Sequence, residues 1–472
     1  MSDSKTSERI VLVGAGLVGS LLAVLLRRRG FEVDVYERRP DMRRGAQAAG
    51  RSINLIATSR GRAALERVGL REKVRTAPVW GRTMHAVDGE LTYQPYGKND
   101  SEMNDSVSRG ELNRILLSEA EERGAKVHFE HRLVGGDPRE QRLEFENGAG
   151  ERVEVHADRV IGADGSASAV RERLAELGCV TSAYHDLGHA YKELEIPPAE
   201  GGGYRADERA LHIWPRGKEM LMALPNHDGS FTVTLYLPNE TDDDSWSFAK
   251  LTDKAAVQAL FEELFPDAIA LIPRLYDEFF ENPTGRLGTV RCAPWHVEDR
   301  ALLIGDSAHA IVPFFGQGMN CGFEDCLVFD DLIGEHSDGD PARPGATDWA
   351  TVFARFSELR KPNGDAIADM SLENFVEMCA SVGDPEFLLR KRVEHRLENE
   401  LPGRYRTRYS MVTYSRIPYH LAYRAGKIQR EILDELCAGI ADESAVDLGV
   451  ADRLIADRLE PFLQEHAISL DY

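Results

Sequence analysis

The sequence predicts an α/β protein: a parallel sheet flanked by helices, an α+β second domain on a mostly antiparallel sheet, and a helical C-terminal domain. Three observations predict it. Short apolar runs lead into glycine turns and then into helical spacing at three places, near Ile10, Val160 and Leu302. Between Glu219 and Leu237 apolar and polar residues alternate, broken by Asn226-His227-Asp228-Gly229, a hairpin signal. Late segments such as "FLLRKRVEHRLENEL" and "VADRLIADRLEPFLQEHA" carry apolar residues at helical spacing with charged faces.

The bulk properties agree. A chain of 472 residues holds two or three domains and a large core. Its formal net charge of −22 argues against nucleic acid and anionic membrane surfaces as partners. The cysteines, Cys179, Cys292, Cys321, Cys326, Cys379 and Cys437, form no C-x-x-C pair, so neither a zinc site nor a disulfide framework is expected. A reducing cytoplasm fits that pattern. No apolar signal segment opens the chain, and no run reaches the ~18 apolar residues of a membrane span. A soluble, cytoplasmic protein is expected, monomeric or homodimeric.

The first element is the most legible. Ile10–Val13 is an apolar run, as a buried parallel strand should be. Gly14-Ala15-Gly16-Leu17-Val18-Gly19 follows at once, and Leu21, Leu22, Leu25 and Leu26 then recur at helical spacing. Phe31–Tyr36 is the second strand, closed by Glu37. The glycines give a tight turn, close approach to a pyrophosphate and close helix–strand packing. The helix start offers free N–H groups to phosphate. Glu37 stands about 20 residues on, where a ribose hydroxyl needs an acceptor. The unit reads as a Rossmann-like dinucleotide site, with FAD and NAD both open.

Two further turns follow the same plan. "ADRVIGADGSASAVRERL" gives a strand, Gly162-Ala163-Asp164-Gly165, and a helix carrying Arg171. "RALLIGDSAHAIVPFFGQGMN" gives a strand, Gly305-Asp306, and a glycine-rich helix start at Gly316–Asn320. One Gly-Asp turn is ordinary turn chemistry. Three strand-to-helix turns in this order suit the carboxyl edge of one parallel sheet, where ligands bind.

G-A-G-x-x-G, then A-D-G with a downstream Arg, then G-D-x-A-H followed by P-x-x-G-Q-G-x-N, resembles the single-component flavin monooxygenases, the FAD-dependent aromatic hydroxylases. The blocks "SVSRGELNRILL", "LHIWPRG", "ALPNHDGSFTVTLYLP" and "YSMVTYSRIPYH" are similar to the members acting on L-kynurenine, and the likeness runs from about Ile10 to His420. It implies a tight, non-covalent FAD, with NADPH as transient co-substrate and O2. Reduced flavin would carry oxygen as a hydroperoxide whose distal atom attacks the ring 3-position, and bound substrate would stimulate flavin reduction. FAD contacts are implied for Gly14, Gly16, Val18, Gly19, Glu37, Arg38, Arg39, Arg109, Leu133, Asp306, Met319 and Asn320. Substrate contacts are implied for Arg82, Tyr96, Asn374 and Tyr409, with Leu211, Met222, Leu224, Tyr236, Pro313 and Phe314 lining a ring pocket. Met222 and Tyr236 depart from the aliphatic residue and Phe usual there, and Phe315 stands where His is the other form. No residue is assigned as acid or base, because the aniline nitrogen of kynurenine already enriches the ortho carbon. Asn374 is unfavourable within a helical segment, an independent hint of a role.

The expected FAD-binding domain is discontinuous: 1–72, 104–178 and 288–335. The substrate sheet takes 73–103 and 179–287, and 336–472 is helical after a loop at Ser337–Asp348. His185 and His189 could form half a metal site, but no third ligand presents itself, and no metal is expected. The alternatives are another flavin aromatic hydroxylase, or a non-catalytic flavin-binding redox sensor. A halogenase relative would need W-x-W-x-I, and the tryptophans here are isolated.

Overall fold

The computed structural model describes residues 8–44, 54–340, 343–380 and 385–471. The chain is an α/β protein that divides into two compact units, each assembled from separated segments. The first unit takes the residues up to Arg75, Val107–His185 and Gly288–Ala368; the second takes Thr76–Ser106, Asp186–Leu287 and the chain from Asp369.

In the first unit the strands lie in the order Lys126–His128, Glu32–Tyr36, Arg9–Val13, Arg159–Gly162, Ala301–Leu303, all parallel, with His296–Val297 antiparallel at one edge. The central strands read as unbroken apolar runs because both faces are covered, and Val11, Leu12, Ile161 and Leu302 are fully buried. Helices Leu17–Arg28, Arg109–Glu122 and Gly318–Glu335 belong to this unit. Ser108 caps the second of these by accepting from the Glu111 amide, the start of an S-x-x-E box. The neighbours of Arg9–Val13 leave it in opposite directions, so a switch point opens beyond its carboxyl end. Val13 pairs with Gly162 and Gly162 with Leu303, so the three predicted turns leave adjacent strand ends.

The second sheet runs Thr284–Ala293, Thr181–Ile196, Phe231–Pro238, Glu219–Pro225, Ala210–Arg216, Gly81–His85, Leu91–Pro95. The hairpin at Asn226–Ser230 forms as the alternation requires, with Leu221 opposite Leu235 and Ala223 opposite Val233. Trp214, Leu221, Ala223, Val233 and Leu235 bury one face against Val257, Phe261 and Phe265 of helix Lys254–Leu264 and the turn after it. The period of two then puts Leu211, Met222, Leu224 and Tyr236 on the opposite face. Gly81–His85 joins Ala210–Arg216 in parallel, with Arg82 opposite Leu211 on that same face.

The late helical reading holds: Trp349–Ala380, Pro385–Glu400, Tyr419–Leu436 and shorter helices follow one another. The loop expected at Ser337–Asp348 is instead largely a two-stranded ribbon, Ser337–Asp340 against Arg343–Thr347. The Ser337 and Thr347 hydroxyls meet at 2.8 Å across it. Pro344 is tolerated because a two-stranded ribbon has only edges. His185 and His189 lie on the strand Thr181–Ile196 rather than on a helix, so their spacing makes no metal half-site.

Candidate functional site

The fingerprint glycines of the first unit have distinct physical reasons. Gly14 adopts φ 104°, and a Cβ there would lie 2.5 Å from the Ala163 carbonyl oxygen. A Cβ at Gly19 would lie 2.1 Å from the Gly14 carbonyl oxygen. Gly16 differs. Its φ of −72° is open to any residue, and a Cβ would meet nothing within 4 Å. Neither conformation nor packing within the chain requires glycine there, so the open space beside it suits a ligand. The helix beginning at Leu17 has no side-chain cap and no acid in its first turn, which leaves its leading amides to an anion.

Glu37 sits at the end of the second strand, buried. Its Oε2 accepts from the Ala15 amide at 2.9 Å, and its Oε1 from the Arg39 amide and Nε. Burial would push this carboxyl up, but the Arg39 guanidinium and the amides outweigh it and hold it below its ordinary value. Oε2 keeps a second lone pair, enough for one ribose hydroxyl. Arg38 and Arg109 are exposed cations with no acidic partner among the described residues. Asn113, which the sequence did not point to, braces the loop by donating to the Ala15 carbonyl at 3.0 Å and accepting from Ser20 Oγ at 3.3 Å.

The second and third turns are tied together. Arg171 donates to the carbonyls of Ser307 and Ser166 at 2.9 and 2.6 Å. The Gly165 amide donates to Ser307 Oγ at 3.0 Å. Asp164 accepts from Ser168 and Ser307 hydroxyls and from the Ala169 and Val170 amides, while burial pushes its carboxyl up. Asp306 is exposed, with no side-chain partner among the described residues. Gly305 before it takes φ 61°, and Val18 packs against it, 3.0 Å from where a Cβ would stand.

Helix Gly318–Glu335 also starts without a side-chain cap. Asn320 is expected at the flavin, but its side chain is saturated within the unit. Oδ1 accepts from the Thr58 and Gly61 amides, and Nδ2 donates to the Ile56 and Gly316 carbonyls at 2.7 and 3.0 Å. What it retains for a ligand is its backbone amide. Met319 and Leu133 are nearly buried.

Beneath this turn lies a buried ionic network that sequence reading missed. Asp325 accepts from the Gly305 amide at 3.1 Å, from Arg360 Nε at 2.6 Å, and pairs with His309 Nε2 at 2.6 Å. Glu324 accepts from Arg360 and from Arg60, both at 3.0 Å. Burial alone would lower the His309 imidazole and raise Asp325, but their mutual attraction outweighs it. His309 is held well above its ordinary value, and Asp325, with Arg360 adding to the effect, at about 2. The ligand atoms of His309, Cys321 and Asp325 lie within 4.8 Å of one another, in the manner of a metal-ligand set, but Arg360 and the Gly305 amide already occupy the carboxylate. A signal existed: Arg360 falls on the stripe Trp349, Val352, Phe353, Phe356, where a lone charge must find partners.

In the second unit the predicted Arg82, Tyr96 and Tyr409 come together. Arg82 is half-buried. Its Nε donates to Gln94 Oε1 at 2.8 Å, and neither terminal nitrogen has a carboxylate among the described residues. The rings of Tyr96 and Tyr409 stack at 5.4 Å, and Asn104 Nδ2 donates to the Tyr409 hydroxyl at 2.8 Å. Burial raises both phenols, which stay neutral, although the Arg82 charge pulls the other way. Leu211, Met222 and Leu224 are half-buried and Tyr236 nearly buried on the sheet face that carries Arg82. Asn374 lies on Trp349–Ala380, its Nδ2 3.5 Å from Met378 Sδ. Pro313 and Phe314 belong to the first unit, on the 3-10 turn Pro313–Phe315. Gln94 and Asn104 escaped sequence reading, because isolated amides carry no pattern.

A family model described as FAD binding domain matches residues 8–340. Kynurenine 3-monooxygenase of Myxococcus xanthus (strain DK1622) is 48% identical over 471 residues, covering 99% of this chain and 98% of that protein. Kynurenine 3-monooxygenase of Xanthomonas oryzae pv. oryzae (strain MAFF 311018) is 44% identical over 460 residues, covering 97% and 98%. Among solved structures, the tetrameric form of 2-methyl-3-hydroxypyridine-5-carboxylic acid oxygenase superposes with a TM-score of 0.63 at 18% identity, covering 81% of this chain and 96% of that one. Pseudomonas aeruginosa PqsL, in complex with 2-aminobenzoylacetate, gives 0.62 at 18% identity, covering 79% and 97%. At that identity the two structures speak to the fold alone.

Proposed function

Because the chain belongs to the kynurenine 3-monooxygenase family, we propose that it hydroxylates L-kynurenine at the ring 3-position, using NADPH and O2 on a tight, non-covalent FAD. The observation that carries the substrate is Arg82: a half-buried guanidinium with no acid partner among the described residues, in a chain of net charge −22. A half-buried cation with no acid beside it among the described residues calls for an anionic ligand. The α-carboxylate of an amino acid fits, and the Tyr96 and Tyr409 phenols can donate beside it. The apolar residues Leu211, Met222, Leu224 and Tyr236 suit the aromatic ring.

The first unit's residues fit FAD. Gly16 leaves room for a pyrophosphate, the Leu17–Arg28 helix start faces it, and Glu37 has an acceptor for a ribose hydroxyl. Asp306 is free to accept a ribityl hydroxyl. The leading amides of Gly318–Glu335 suit the electron-rich edge of the ring system. Bound FAD supplies the activation of O2 after reduction by NADPH. The chain's own share is to bind, orient and exclude water. The aniline nitrogen of kynurenine activates its ortho carbon, so no side chain is needed as a base. Among the described residues no helix is long and apolar enough to cross a membrane. We take the enzyme to be cytoplasmic, monomeric or homodimeric, and free of nucleic acid; recovery only in a detergent-dependent membrane fraction would contradict this.

The test is NADPH oxidation by the purified holoprotein. Addition of L-kynurenine should accelerate it and yield 3-hydroxykynurenine by mass spectrometry. Flavin-loaded protein that neither responds to kynurenine nor forms this product overturns the proposal.

A further inference from the structure

We infer that Gln94 is a positioning and specificity residue: it holds Arg82 so that only the end-on fork of its guanidinium is offered to a carboxylate. This rests on the reading that Arg82 binds the substrate carboxylate. Arg82 and Gln94 face each other across neighbouring antiparallel strands, Gly81–His85 and Leu91–Pro95. Gln94 Oε1 accepts from Arg82 Nε at 2.8 Å. A planar guanidinium can meet a carboxylate side-on, through Nε and one terminal nitrogen, or end-on, through both terminal nitrogens. The Gln94 contact occupies Nε, which removes the side-on mode and fixes the plane.

Two features separate this from ordinary strand pairing. Leu91, Thr92, Tyr93 and Pro95 are exposed, and Gln94 is the one partly buried residue of its strand. The strand therefore gains little core from Gln94, whose burial follows from its position opposite Arg82. The second feature is charge. A Glu would fit the same space and make a stronger, bidentate bond, but it would neutralise Arg82 and compete with an incoming carboxylate. The amide positions without competing. With the neighbouring phenols held neutral by burial, the site keeps a single positive charge. It should favour an aromatic amino acid over the corresponding amine lacking the carboxylate.

The experiment compares holoenzyme carrying Gln94→Glu, Gln94→Leu or Arg82→Met with wild type. It measures FAD content, kcat and KM for L-kynurenine, and the Kd of decarboxylated kynurenine. Gln94→Glu should raise the KM for kynurenine by about tenfold or more, through loss of a charge-assisted contact. Gln94→Leu should raise it less, and in both variants KM should change more than kcat. FAD content should match wild type. Decarboxylated kynurenine, itself a cation, should bind Gln94→Glu at least as well as wild type, which a merely loosened strand would not produce. If both Gln94 variants keep a wild-type KM while Arg82→Met loses kynurenine, the inference is overturned and the Arg82 reading stands. If Arg82→Met also binds kynurenine normally, the underlying reading fails. Should Gln94→Glu not fold, Gln94→Asn keeps the amide but is too short to reach Arg82 Nε; an unchanged KM there equally overturns the inference.

Discussion

His309 Nε2 lies 2.6 Å from Asp325 Oδ2, and that same carboxylate oxygen accepts the Gly305 amide at 3.1 Å. The contact joins a buried ion pair to the backbone of the turn proposed to meet the flavin. With Arg360 on the other carboxylate oxygen, Asp325 has no freedom left, and neither has the turn.

The first prediction concerns pH. Asp325 is held low, so its stabilisation is complete above its ordinary value of about 3.9 and is lost as pH falls through about 2. His309 is held high, so its stabilisation is complete below about 6.5 and is lost as pH rises through its folded value. Asp325→Asn should cost about 3–5 kcal/mol near pH 6, since it strands buried cations. The gap in Tm to wild type should narrow as pH drops below about 4. Thermal melts between these conditions check it; a gap of constant size contradicts the assignment.

The second separates two glycines. Gly19→Ala should destabilise the apoprotein, because a Cβ would stand 2.1 Å from the Gly14 carbonyl. Gly16→Val should cost the apoprotein less Tm than Gly19→Ala, because nothing in the chain lies within 4 Å of a Cβ at Gly16. It should nevertheless lower the flavin-to-protein absorbance ratio. Normal FAD loading in Gly16→Val counts against the pyrophosphate assignment.

The third concerns Arg82. Arg82→Lys keeps the charge but loses the fork, costing about 1.5–3 kcal/mol, or roughly 10- to 150-fold in kynurenine affinity. Arg82→Met should be worse, and FAD content should not change in either. Equilibrium titration of the flavin spectrum with kynurenine measures both quantities. Loss of FAD in place of affinity would reassign the residue.

The fourth is that FAD is held without a covalent bond. Acid or heat precipitation should release it into the supernatant, identifiable by chromatography. Colour that remains with the precipitate refutes this.

What the sequence showed and hid follows from the range of each interaction. Gly19 and Glu37 were legible because their nearest partners, Gly14 and Ala15, lie within the same strand–helix–strand unit. The hairpin around Asn226–Ser230 was legible because a period of two and a turn suffice to specify it. The ribbon Ser337–Asp340 with Arg343–Thr347 was hidden because Gly, Asp and Pro there mimic a loop. Asn320 was placed correctly at a helix start, but its full engagement with Ile56, Thr58, Gly61 and Gly316 depends on chain distant in sequence. Gln94 has no local signature: only the register of two strands sets it against Arg82.

The strand order of the first sheet also bears on how the protein is made. Arg9–Val13, with its glycine turn, leaves the ribosome well before Arg159–Gly162, which must emerge before the second edge of Arg9–Val13 is paired. Ala301–Leu303 closes the far side of Arg159–Gly162, and most of the second unit's sheet is translated in between. Until then the nascent chain carries a half-built, strongly apolar sheet with an open hydrogen-bonding edge. Such edges invite pairing with other chains, and non-local parallel pairing is slow. Synthesis of this protein should therefore be more sensitive to chaperone supply and to translation rate than its finished stability indicates.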